Sequence, residues 1–155
     1  MTEQTNLEET LAKDGVVIHH IAGVSMLPLL RQKIDTVVIE KKGDVLKEND
    51  VVFYKRDSGK FVLHRLLKIK ENGYVIRGDN CYINEYDIKD RHILGVLKEI
   101  YRGDKRIDCK TSKGYKAYVY FWRYTYYVRK VWRFFWVPTR RLLGKIKRSI
   151  LGQNK

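Results

Sequence analysis

The chain has 155 residues, 44% of them hydrophobic and 32% charged, and a formal net charge of +14. That composition suits one folded core and excludes a disordered chain. Its two cysteines, Cys81 and Cys109, form no CxxC and make no disulfide framework, so two free thiols are expected. Four histidines without ligand spacing call for no metal, and nothing in the sequence calls for a cofactor. The charge is unevenly spread. Residues 113–155 hold twelve Lys or Arg and no Asp or Glu, which leaves 1–112 nearly neutral. We therefore divide the chain into a domain, 1–112, and a cationic tail, 113–155. Such a tail implies an anionic partner.

The polar, acidic start (residues 1–14) shows no leader pattern, and residues 5–13 read as a short helix closed by Gly15. An apolar run over 16–22 predicts a strand that carries His19 and His20. Pro28 makes 23–30 irregular. Strands follow at 35–40, 50–55 and 61–69; Asp57-Ser58-Gly59 turns the last two into a hairpin. Asn72-Gly73 is a second hairpin turn and leads into a strand at 74–77. Residues 78–90 read as a polar loop, 93–102 as a strand, and the stretch after Gly103 as a short edge strand. Many short strands with frequent turns predict a mainly β, coiled antiparallel domain.

From Gly114 the period changes to that of a helix. Over 115–137, Lys116, Arg123, Arg129, Lys130 and Arg133 fall on one arc. Ala117, Phe121, Tyr124, Val128, Val131, Trp132 and Phe135 fall opposite. Pro138 breaks this helix, and Thr139 caps a second basic amphipathic one carrying Leu142, Leu143, Ile146 and Ile150. Twelve of the nineteen aromatics lie in 115–136, which suits a helix lying at a membrane surface. No run is long and apolar enough to span a bilayer. A peripheral membrane association is therefore expected, with the side of the membrane open. Packing on the β domain is the plain alternative. Nucleic acid is not the expected partner, because no nucleic-acid-binding fold accompanies the basic residues.

Three short segments carry chemistry: Gly23-Val24-Ser25-Met26-Leu27-Pro28, Leu63-His64-Arg65-Leu66 and Arg77-Gly78-Asp79-Asn80. A serine hydroxyl attacks a carbonyl only when a base removes its proton. Imidazole is the natural base near neutrality, and a carboxylate behind the ring fixes its tautomer. Each segment taken alone is an ordinary turn or strand.

In order, GVSMLPLL, DVVFYK, VLHRLLKI, VIRGDN and ILGVLKEI resemble the successive motif boxes of the signal peptidase I family, over about residues 22–101. The base position holds a histidine, so the chain is similar to the histidine form found in endoplasmic-reticulum-type signal peptidases rather than the lysine form. The resemblance implies the coiled β-fold that signal peptidases share with LexA-type proteins. It also implies cleavage of a leader or signal peptide, with Ser25 as nucleophile and His64 as general base. Asp79 is then the first choice for the acid, with Glu85 and Asp87 as alternatives. The Ser25 backbone N–H would donate to the oxyanion. One departure is Gly23, where these enzymes often carry a serine that helps bind the oxyanion. Two other readings remain: a non-catalytic peptidase-like module that binds peptide at a membrane surface, and a LexA-like self-cleaving regulator.

Overall fold

A computed structural model describes the backbone of residues 3–132 and 136, and side chains from Leu7 onward. It comprises two units, Met1–Ala117 and Tyr118–Lys155, each described by itself below. The first is mainly antiparallel β, as the pattern of short alternating runs predicts. Helix α1 (Glu3–Asp14) precedes β1 (Val16–His20), β2 (Asp35–Lys41), β3 (Val51–Lys55), β4 (Phe61–Lys70), β5 (Gly73–Arg77), β6 (Glu85–Ile88), β7 (Ile93–Arg102) and β8 (Lys105–Asp108). Helix α2 (Lys113–Tyr124) follows. The strand order is β1-β2-β7-β3-β4-β5-β6, with β8 also paired to β7. Every pairing is antiparallel, and bulges interrupt β2–β7, β3–β7, β4–β5 and β5–β6. Bulges bend strands and increase twist, which is how one sheet coils around its own core.

Strand β7 organises the molecule. Its length runs along β2, while its other side meets β3 in the first half and β8 in the second. Gly95 permits the crowding. A Cβ there would lie 2.6 Å from the Glu40 carbonyl oxygen and 2.8 Å from Ile39 Cγ2. One core cluster gathers Leu46, Val52, Tyr54, Leu66, Ile76, Ile88 and Ile93 from strands β3 to β7 and the connector before β3. Leu11 of α1 is buried as well, and its Cδ2 approaches the Gly95 position at 3.1 Å.

The polar loop expected at 78–90 is corrected in part. It contains β6, with Ile76 opposite Glu85, and a short 3₁₀ turn at Asp90–His92. Its sequence, Glu-Tyr-Asp-Ile, alternates but is only four residues long within a polar stretch, too short to announce a strand; pairing with β5 orders it. Both cysteines are free. The second tail helix, from Thr139, lies outside the described residues, as do Arg133 and Phe135 of the first.

Among the described residues β1, β6 and β8 each pair with one strand only, and two unpartnered edges concern the site. β1 pairs only with β2. β4 pairs with β3 from Phe61 to Arg65, but β5 covers its other side only from Arg65 onward. Residues 61–64 therefore have backbone on one side with no strand against it.

Candidate active site

A cleft of about 1140 Å³ lies between these two edges. Residues 19–26 line one side and residues 60–64 the other, with Asn80 to Ile83 and Glu85 closing it and Phe53 and Leu7 adding apolar surface. The structure brings Ser25 and His64 to the same cleft from positions 39 residues apart in the chain.

Ser25 sits in a run of turns. Gly23 has φ +92°, and an added Cβ there would meet nothing within 4 Å. Backbone conformation, not space, selects glycine, which explains why a serine does not stand there. The Leu27 N–H donates to the Val24 carbonyl and the Leu30 N–H to the Met26 carbonyl, winding the chain behind the serine. Asn80 pins this loop from outside: its backbone N–H donates to the Ser25 carbonyl at 2.8 Å, and its amide Nδ2 donates to the Val24 carbonyl at 3.1 Å. Gly78 lets the two loops close. A Cβ on it would stand 2.6 Å from the Ser25 carbonyl oxygen, 2.9 Å from His64 Nε2 and 3.0 Å from Cys81 Sγ.

His64 is 4% exposed, and its two nitrogens differ. Nδ1 lies 2.9 Å from Glu85 Oε1 and 3.2 Å from the Tyr54 hydroxyl. Nε2 is buried and has no hydrogen-bond partner. With Nδ1 donating to the carboxylate, Nε2 carries the free lone pair, the form a general base requires. A buried polar atom left unpaired costs about 1–3 kcal/mol. Burial lowers the His64 pKa below its ordinary 6.5, outweighing Glu85, which pulls it upward; Arg56 adds to the lowering. The ring is therefore neutral at physiological pH.

The carboxylate behind the ring is Glu85, and the first-choice assignment of Asp79 is corrected. Asp79 is 7% exposed, and Arg65 grips it with both fork atoms: Nε to Oδ1 at 2.8 Å and Nη2 to Oδ2 at 2.6 Å. Arg65 follows His64 in β4, so its side chain leaves the opposite face of the strand and takes Asp79 with it. Its Nη1 also donates to the Asn49 carbonyl and to the Tyr115 hydroxyl. Asp79 thus fastens the Gly78 turn to β4. Asp87, the other alternative, is exposed and does not line the cleft. Glu85 receives Arg56 through Nε at 2.8 Å and Nη2 at 2.6 Å, as well as His64 and the Tyr54 hydroxyl. Burial raises its pKa, but these donors win and hold it below 4.5.

Tyr54, Arg56 and Asn80 were not singled out from sequence as site residues. Tyr54 was within reach of it: the hairpin turn at 57–59 sets Val52 opposite His64, which puts Tyr54 on the same face two residues along. Cys81 also lines the cleft. Burial, and Glu85 after it, push its thiol pKa up, so it is held protonated rather than activated.

Protein-family models give no match to this chain, and curated proteins give none either.

Proposed function

We propose that the protein is a serine endopeptidase of the signal-peptidase type, with Ser25 as nucleophile, His64 as general base and Glu85 as the acid that orients it. The observation that carries this reading is the pairing of His64 Nδ1 with Glu85 while Nε2, buried and unpartnered, sits beside the Ser25 loop. Ser25 Oγ attacks the scissile carbonyl as its proton passes to Nε2. The imidazolium formed is stabilised by Glu85 and then returns the proton to the leaving amine. The Ser25 backbone N–H is the proposed oxyanion donor, since no side-chain donor stands at Gly23. The two open strand edges favour a substrate bound as an extended strand between 19–22 and 61–64, its main chain hydrogen-bonded to both. A leader or signal peptide in extended form is such a substrate. We also propose a peripheral place at a membrane, which the cationic, aromatic-rich tail supports.

A serine-directed phosphonofluoridate probe, read by intact-mass spectrometry, tests the assignment. Labelling of the wild-type chain should be lost in Ser25→Ala. It should fall by about a thousandfold in His64→Ala, because the hydroxyl then lacks its base. Labelling that survives Ser25→Ala overturns the assignment.

A further inference from the structure

The helix begun by α2 carries a surface whose residues do not line the cleft. The helix begun by α2 continues past Tyr124: the Thr125 N–H donates to the Phe121 carbonyl, the Arg129 N–H donates to the Thr125 carbonyl, and 126–132 is helical. At about 100° per residue, its exposed residues collect on one continuous arc of about 200°. Lys116, Arg123 and Lys130 form one edge of that arc, all exposed. Tyr120, Tyr127 and Tyr124 come next, each more than half exposed. Val131 lies between Tyr120 and Tyr124, and Val128, Phe121 and Trp132 complete the arc; all four are more than half exposed. The half-covered residues, among them Tyr118, Trp122 and Arg129, lie on the remaining side; there the Arg129 guanidinium stands 3.5 Å from the Trp122 ring centroid. The exposed face therefore passes from a cationic edge through tyrosines, with Val131 among them, to Val128, Phe121 and Trp132.

We propose that this face is a docking surface for an anionic lipid bilayer. Residues 113–155 hold twelve Lys or Arg and no carboxylate side chain, and on the described face Lys116, Arg123 and Lys130 meet phosphate headgroups with no acidic side chain in the segment to oppose them. The make-up of the face supplies the rest. Cations belong at headgroup phosphates, tyrosine and tryptophan at the boundary, and valine and phenylalanine at the acyl chains, and this face offers all three kinds of group to one interface. A nucleic acid would satisfy the cationic edge but leave Val128, Val131 and Phe121 in water. The inference rests on the helix alone and does not depend on Ser25 or His64.

The full-length chain is incubated with vesicles of phosphatidylcholine alone or mixed with phosphatidylglycerol. Binding is read by co-sedimentation and by the tryptophan emission maximum. Mixed vesicles should bind the chain and shift its emission to the blue, with affinity falling as salt is added; neutral vesicles should bind about tenfold or more weakly. Val128→Glu with Val131→Glu should abolish the blue shift and cut affinity about tenfold or more, with circular dichroism and probe labelling of Ser25 unchanged. As a second variant, Lys116→Gln with Arg123→Gln and Lys130→Gln should remove most of the preference for anionic vesicles. Equal binding to neutral and anionic vesicles overturns the proposal. So does tighter binding to a single-stranded oligonucleotide than to anionic vesicles, or a Val128/Val131 variant that binds like the wild type.

Discussion

Glu85 accepts from His64, Tyr54 and both fork atoms of Arg56, whereas Asp79 is held by Arg65. The two carboxylates are therefore separable by mutation. Asp79→Asn breaks a buried ion pair and leaves Arg65 uncompensated, so a loss of about 3–5 kcal/mol is expected in urea unfolding. Glu85→Gln keeps the shape but removes the charge behind the imidazole. It should lower kcat by about a hundredfold or more with a much smaller change in stability. If Asp79→Asn abolishes turnover at full stability, the roles are reversed. His64 sets the pH response. Its pKa lies below 6.5, so the acid limb of kcat/KM should have its midpoint below that value, and Arg56→Gln should move the midpoint upward. The sign for stability follows from proton binding. Below pH 6.5 the unfolded chain takes a proton that the buried ring refuses, so stability falls as pH drops through that window.

Among the elements, β7 joins β2 to β3, and Gly95 allows its close packing. Gly95 lets β7 lie against Glu40 and Ile39 while its other side meets β3, the strand that pairs with β4. Gly95→Ala sets a methyl group against backbone oxygen and should cost about 1–3 kcal/mol, measured as a lowered denaturation midpoint with an unchanged slope. Asp35, fully buried at the start of β2, accepts both fork atoms of Arg102 and the Arg31 N–H. Burial alone would raise its pKa, but Arg102 and the Arg31 backbone N–H hold it below 3.8. The strands at 35–40, 61–69 and 93–102 were legible because each is an apolar, β-branched run between turn residues. β6 was not, because four residues inside a polar stretch give too short a pattern and the pairing with β5 orders them.

In the whole molecule, the cleft joins segments that lie far apart in sequence, and only the coiling of the sheet sets them face to face. Strand addition to both edges has a consequence for substrates. Linear peptides that reach across 19–22 and 61–64 should be cleaved well, while the same scissile sequence held in a small cycle or a stable helix should resist, as judged by chromatographic cleavage assays. Equal cleavage of linear and cyclic forms would argue against extended binding. The charge is divided along the chain in the same way as the work proposed for it: a nearly neutral domain around the cleft and a cationic helix beyond it.

Sequence by itself determined the β-rich class, the helical period of the tail, and Ser25 and His64 as candidates, because alternation, helical spacing and residue chemistry are local properties. It left the acid open among Asp79, Glu85 and Asp87, three carboxylates within nine residues. Tertiary structure shows which of them contacts the ring. Arg65 leaves β4 on the face opposite His64 and draws Asp79 with it, while the pairing of β6 with β5 carries Glu85 to the imidazole. Which carboxylate reaches a ring nitrogen depends on strand pairing and on competing cations, and neither is written in the spacing of the residues.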